Sequence, residues 1–450
     1  MKTKWRRLPP AKVLLGLSGG VDSAVSAILL KEQGYQVEAV YIECWHEPGC
    51  RAEDDRRDAL QVALQLNLPF QVLDLKKPYR EKVMQYFLDE YQAGRTPNPD
   101  VMCNKIIKFG LFYDWAMKRG YDAIATGHYA ATDGQFLDVP KDRAKDQTYF
   151  LYEIKQAQLA QVLFPLADLT KSEVRQIAQQ ANLPVATKKD SVGICFVGDI
   201  NVPKFLKENL GENPGKIVDE YGNVLGQHQG LWFHTIGQRH GFTYDKKKYT
   251  KLHPKLDKSE LPALFVISKN SKLNQLVIGP KQATQVKKFL VDRLHLIGLT
   301  EQELLGQSSL KVRIRNTGEL TGCSIIKQNG HYQVELEQPI EGVAAGQSAV
   351  FYAINRPTHC LGGAIILWLP PDPCYNTPTS QFSLYGVEFT HSRLMYLGNQ
   401  KASCKKRHSR RDCFFFFGFS EGTLKIEDDN DKQHTNNHHT EISMVVEMLL

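Results

Sequence analysis

Regular structure begins with an all-apolar run, Val13-Leu14-Leu15-Gly16-Leu17, whose lack of alternation predicts a strand buried on both faces. Apolar residues then recur at helical spacing from Ala24 to Lys31, and that helix closes near Gly34. The rhythm repeats. Strands are expected at Glu38–Ile42, Phe70–Leu73 and Ala123–Thr126, and helices around Asp54–Leu66, Tyr79–Tyr91 and Lys105–Lys118. Thr170-x-x-Glu173 is a capping box opening a helix to Ala181, which Leu183-Pro184 ends. Strands and helices alternating in this way predict an α/β domain, a parallel sheet with helices on both faces. Ligands of such a sheet bind beyond the carboxyl ends of its strands, where Ser18–Ser23 and Gly127-His128 both fall.

From Asn201 the pattern changes. Residues 211–241 are rich in Gly, His and Gln with few helical signals, and a Lys-rich stretch from Asp245 to Lys258 reads as a solvated loop. Beyond Leu264 the apolar positions alternate, as in Val312/Ile314 and Tyr332/Val334/Leu336, with turns at Asn329-Gly330 and Gly346-Gln347. Several short strands at this spacing predict a β-barrel. The expected organisation is an α/β domain over 11–200, a small connecting domain over 201–263, a barrel over 264–369 and an extension over 370–450. The extension carries Lys405-Lys406-Arg407, a Phe414–Phe417 run and His438-His439 without a sustained period, and reads as a poorly ordered tail.

Composition narrows the class only a little. A 42% hydrophobic and 23% charged chain is ordinary for a soluble globular protein, and no apolar run approaches the ~20 residues of a membrane span. No signal-peptide core follows the basic N-terminus, so a cytoplasmic location and no membrane partner are expected. The formal charge of +7 leans mildly toward a polyanionic partner. Nine scattered cysteines, an odd number without any Cys-x-x-Cys, suggest free thiols in a reducing compartment and give no support for a zinc ribbon.

The chemistry concentrates in a few places. Ser18-Gly19-Gly20-Val21-Asp22-Ser23 joins a strand to a helix N-terminus, where free N–H groups and the helix dipole favour phosphate. Gly19 and Gly20 allow close approach of the backbone, Ser18 and Ser23 add hydroxyls, and Asp22 suits a magnesium ion shared with phosphate oxygens. No Lys-Ser/Thr pair follows, so this is not the Walker-type loop. It resembles the PP-loop of ATP pyrophosphatases, which adenylate an acceptor and release pyrophosphate. A plain Ser/Gly turn entering a helix is the alternative. Cys103 lies in a proline-marked loop running into a helix, with Lys105 and Lys108 nearby, an arrangement expected to depress its pKa. Asp100, three residues earlier, is placed to move a proton. Cys195 lies in a second, Gly-containing loop, 190–196. Any single cysteine is more often a small buried hydrophobe.

These strings, taken together, resemble the tRNA-specific 2-thiouridylases, which put sulfur on C2 of the wobble uridine. The matching stretches are 16–23, 94–105 (Gly-Arg-Thr-Pro-Asn-Pro-Asp-Val-Met-Cys-Asn-Lys), 125–129, 145–151, 188–196, 226–230, 235–239, 339–352 and 360–364, in unbroken order over about residues 11–368. The resemblance implies ATP and magnesium at Gly16, Leu17, Ser18, Gly19, Gly20, Val21, Asp22 and Ser23, with Ile42 and Gly127 lining the adenosine pocket. It implies that Asn98, Pro99 and Asp100 meet the target base. Cys103 would be the nucleophile, Cys195 the persulfide carrier and Asp100 the general acid/base, with a Cys103–Cys195 disulfide during turnover. Lys145, Asp146 and Gln147 would contact tRNA, and so would Arg315 and Asn316, although the family pattern there is Arg-Tyr. The implied partners are a persulfide sulfur donor protein and the tRNAs for Lys, Glu and Gln. Direct attack by the persulfide and prior release of sulfide both stay open. So do two other classes: a PP-loop ligase or synthetase that needs no paired cysteines, and an RNA-binding module that consumes no ATP.

Overall fold

The computed structural model describes residues 11–46, 50–190, 193–198, 201–254, 263–328 and 330–368, together with two short strands further on. Its first layer is a five-stranded parallel sheet. Strands β1 (Lys12–Gly16), β2 (Gln36–Glu43), β3 (Phe70–Asp74) and β4 (Ala123–Ala125), with Val162–Leu163, are ordered β3-β2-β1-β4-(162–163). Alternation along β1 divides the core. Leu14 joins the cluster under the helical segments 76–92 and 99–118, while Val13 and Leu15 face α1 (Val21–Glu32), α2 (Ala52–Gln65) and the helix Lys171–Gln180. Both faces are covered, which is why β1 reads as one apolar run. The chain order turns back between β1 and β4, and at that switch point the crevice opens.

The helices expected at 79–91 and 105–118 both form, with a feature that apolar spacing does not reveal. Each contains a π segment, Arg80–Met84 and Asn104–Phe112. The second helix also starts earlier than expected, at Pro99, because Asn98 caps it: Asn98 Oδ1 accepts from the N–H groups of Asp100 (3.1 Å) and Val101 (3.3 Å). The capping box at Thr170/Glu173 is present as read.

The central sheet has the order Leu264–Asn270, Gln275–Pro280, Gly215–Val218, Val224–His228. Sheet membership therefore places 264–280 with the connecting domain, and the barrel begins at Gln285 rather than at Leu264. Alternation marks a strand but carries no information about the sheet it joins. The barrel closes through six strands, Gln285–Val291, His331–Glu341, Thr321–Gln328, Leu310–Arg313, Ser348–Tyr352 and His359–Trp368, the last pairing back to the first. A short hairpin of the α/β domain, Ala131–Thr132 and Leu137–Asp138, adds itself to His359–Trp368.

The seam between α/β domain and barrel is polar. Arg313, half-buried, donates to the buried Asp146 at 2.6 Å, while Tyr149 OH donates to Ile314 O at 3.0 Å and to Ser348 O at 3.1 Å. Most of the expected tail, including the Lys405–Arg407, Phe414–Phe417 and His438-His439 runs, lies outside the described residues. Within it Phe382–Leu384 and Val387–Phe389 form an antiparallel pair. Among the described residues no helix is long and apolar enough to cross a membrane.

Candidate active site

The loop after β1 is built as an anion cradle. Gly20 caps α1 without any side-chain hydrogen bond, so the first-turn N–H groups stay available. Gly19 has φ +76°, and a Cβ there would sit 2.1 Å from Asp55 O. Gly127, after β4, lies so close that a Cβ would be 2.7 Å from Ser23 N. Ile42 ends β2 on the other side, so Gly16 to Ser23, Ile42 and Gly127 do converge at neighbouring strand ends. One expectation changes. Ser23 is buried and its hydroxyl donates to Gly20 O (3.1 Å) while accepting from Ser18 N (3.1 Å), so it closes the loop instead of facing a ligand. Val21 is core, and Leu17 is too.

Asp22 is held by residues that sequence reading missed. Lys171 Nζ donates to both its oxygens (2.7 and 2.8 Å), and Tyr129 OH donates to Oδ1 (3.0 Å). Lys171 also reaches Asp190 (2.9 Å), which pairs with Lys145 (2.8 Å) and Arg175 (2.6 Å) as well. Burial acts to raise the Asp190 pKa, yet Lys145 and Lys171 bring it down to about 2. Behind the loop Lys188 Nζ braces Gly19 O (2.8 Å) and Asp55 (2.7 Å). A magnesium ion fits this donor set only as a phosphate-bridged one. Among the described residues no three His, Cys, Asp or Glu side chains converge, but Mg²⁺ commonly takes one carboxylate, substrate phosphates and water.

The two candidate cysteines, 92 positions apart by their numbers, meet. The Cys103 thiol hydrogen-bonds Cys195, and no disulfide joins them. Asp100 Oδ1 accepts from Cys195 N at 2.9 Å, and Tyr79 OH donates to Cys195 O at 2.6 Å. The Cys195 turn is tight: Ile194 bridges Gly198, and Phe196 takes φ +65°, uncommon for a bulky residue and typical of strain held at working sites. Beside it a cavity of about 290 Å³ is lined by Tyr91, Asn98, Pro99, Asp100, Gly193 and Ile194.

The electrostatics reverse the expectation for Cys103. It is wholly buried, and desolvation, reinforced by Cys195, pushes its thiol up. Lys105 points away to Glu153 (3.0 Å). Lys108 instead places Nζ 3.3 Å from Cys195 Sγ and 3.2 Å from His128 Nε2. The hydrogen bond from Cys103 and the Lys108 charge bring the Cys195 thiol down, so Cys195 is the more readily deprotonated of the pair. A third thiol, Cys44 at the end of β2, joins the same core cluster, and burial keeps it protonated.

The residues expected to contact RNA are spread more widely. Asp146 is buried against Arg313, Gln147 Oε1 accepts from Tyr129 N (2.8 Å), and Lys145 alone of the three keeps a substantially exposed side chain. Arg315 donates to Gly342 O (2.6 Å) on a groove of about 340 Å³ shared with Thr235, Gln238 and Gln347. Asn316 turns a buried Oδ1 inward without a protein partner.

Comparison with known proteins agrees with this layout. Three family models match in succession: the tRNA methyl transferase HUP domain over 11–199, the tRNA methyl transferase PRC-barrel domain over 203–280 and the aminomethyltransferase β-barrel domain over 286–366. The tRNA-specific 2-thiouridylase MnmA of Lactobacillus gasseri is 41% identical over 370 residues, covering 79% of this chain and 95% of that protein. The corresponding Legionella pneumophila protein (strain Lens) is 41% identical over 367 residues, with 79% and 98% covered. A solved structure of the U34-tRNA thiolase NcsA from Methanococcus maripaludis with its [4Fe-4S] cluster is similar at 18% identity and a TM-score of 0.30, covering 45% of this chain and 66% of that one. With such identity along nearly the full length of those enzymes, the chain belongs to the tRNA-specific 2-thiouridylase family.

Proposed function

We propose that this protein thiolates C2 of the wobble uridine, U34, of a tRNA, consuming ATP and producing 2-thiouridine, AMP and pyrophosphate. The observation that carries the reading is the meeting of Cys103 and Cys195 beside a base-sized cavity, in a domain whose uncapped α1 N-terminus suits phosphate. A uridine C2 carbonyl is a poor electrophile, and transfer of adenylate to its oxygen makes AMP a leaving group. The α1 N–H groups and Lys171 hold the phosphates, and Asp22 would hold a magnesium ion whose charge offsets theirs. Asn98, Pro99 and Asp100 line the cavity that receives the base once it has left its stack.

Sulfur comes from a persulfide on Cys195, filled by a donor persulfide protein. Its outer sulfur attacks C2 and AMP departs. Cys103 then attacks the Cys195 sulfur, so that the two thiols become a disulfide and the sulfane sulfur, reduced by two electrons, remains on C2. Asp100 takes and returns the proton near this step. Lys145 and the Arg315–Asn316 edge of the barrel serve as outlying tRNA contacts. A tRNA-dependent pyrophosphate-release assay, run beside nucleoside analysis of the product, tests the reading. Pyrophosphate release without 2-thiouridine, and unaffected by Cys103→Ser, would point to a ligase instead; tRNA binding without ATP consumption would point to a binding module.

A further inference from the structure

Two thiols in hydrogen-bond contact pose a question of direction, since either could take sulfur from a donor. Lys108 stands on the Cys195 side. Its position follows from the π segment Asn104–Phe112, whose i→i+5 turns bring a residue five places on back toward the face it left, so Lys108 lies over Cys103 and its neighbour. In a plain α-helix a residue five positions on points elsewhere, and Lys108 would miss the pair.

The lysine is itself held from behind. His128 Nε2 is 3.2 Å from Nζ, and Thr126 Oγ1 is 2.8 Å from His128 Nδ1. Burial and the adjacent ammonium keep His128 neutral, so Nδ1–H donates to Thr126 and the Nε2 lone pair accepts from Lys108. Burial alone would drive the Lys108 pKa down, but the facing thiols, Cys195 before Cys103, keep it raised and the ammonium charged. The remaining groups facing Cys195 are Cys103, which donates to it, the Asp100 carboxylate, which opposes its charge, and the neighbouring Cys44 thiol and Tyr79 hydroxyl.

We propose that Lys108, held between Cys195 Sγ and Nε2 of His128, is the positioning residue that selects Cys195 over Cys103 as the acceptor of sulfur. This inference rests on the thiolation reading and deepens it. In the loading step the Cys195 thiolate attacks the outer sulfur of a donor R–S–SH. The donor S–S bond breaks, RS⁻ leaves with the electron pair, and Cys195–S–SH forms. Lys108 keeps its proton throughout and faces first the thiolate, then the persulfide anion.

The test uses the full chain without ATP or tRNA. Iodoacetamide alkylation of Cys195 and Cys103 is followed against pH by peptide mass spectrometry, and glutathione persulfide serves as sulfur probe. In the wild type the Cys195 midpoint lies below the ordinary thiol range and below that of Cys103, and the added sulfur appears on Cys195. Lys108→Met raises the Cys195 midpoint by about one unit or more, slows its alkylation at pH 7 about tenfold, and removes the preference in sulfur loading. Lys108→Arg restores most of the low-pH rate. An unchanged midpoint in Lys108→Met overturns the inference, and so does an Arg variant as slow as the Met variant. A wild-type Cys103 midpoint below that of Cys195 overturns it without any variant. Failure of the wild type to make 2-thiouridine in the separate tRNA assay would strike the proposed function alone, since neither alkylation nor loading uses tRNA.

Discussion

At Gly19 the loop has no room for a side chain, since the backbone is left-handed and Asp55 O occupies the Cβ position. Gly19→Ala is expected to cost about 1–3 kcal/mol in stability and to abolish ATP-dependent pyrophosphate release, read by denaturant melts and by the release assay. Asp22→Asn differs: it keeps shape but loses the charge facing Lys171, and release is expected to fall by about 10²–10³-fold with tRNA affinity nearly unchanged. Equal release by Asp22→Asn and wild type would remove Asp22 from the site. The glycines and Asp22 were legible because the strand–turn–helix they form demands them, whereas the two cysteines stood out mainly through the family resemblance. Lys171 was not, since it lies 149 residues from Asp22 and reaches it only after the helix Lys171–Gln180 has packed on α1. Lys108 was noticed for the wrong partner, as charge counted along the sequence knows nothing of which face a π turn presents.

The element that most governs the site is the helix that opens at Thr170. Glu173 closes its capping box and accepts from Lys141 (2.8 Å), and that lysine, with the Thr170 N–H and hydroxyl, draws the Glu173 pKa from 4.5 to about 2. Asp190, one turn of the network away, is lowered to about 2 by its cations. Both groups have depressed folded-state values, so each contributes stability above its unfolded value that is lost as pH falls. Denaturant midpoints are expected to drop between about pH 4.5 and 2, and Glu173→Gln should flatten part of that slope. A slope unaltered by Glu173→Gln would assign the acid sensitivity elsewhere. Four strands and the main helices of the first domain were readable, as each carries its own periodicity, whereas the fifth strand, Val162–Leu163, is too short to carry one. The two π segments were not readable, because apolar recurrence marks a helix without revealing whether its hydrogen bonds run i→i+4 or i→i+5.

Across the whole molecule the seam between α/β domain and barrel includes the ion pair of Arg313 with the buried Asp146. Arg313→Met leaves Asp146 charged, buried and unpaired, and is expected to destabilise the fold by about 3–5 kcal/mol. Adding Asp146→Asn should return part of that loss, measured by equilibrium unfolding of the double variant; no recovery would mean that the pair is not the seam's main polar contact. That a barrel exists was legible from alternation, but the transfer of 264–280 to the central sheet was not, nor was the hairpin that the first domain lends to the barrel.

That loan fixes an order of events during synthesis. The strand His359–Trp368 both closes the barrel against Gln285–Val291 and receives Leu137–Asp138 from more than two hundred residues earlier. Until it leaves the ribosome, the sheet from Gln285 to Tyr352 has two open edges and the early hairpin has no mate. A chain released before residue 359 therefore keeps unpaired strand edges, the condition that favours aggregation and capture over productive assembly.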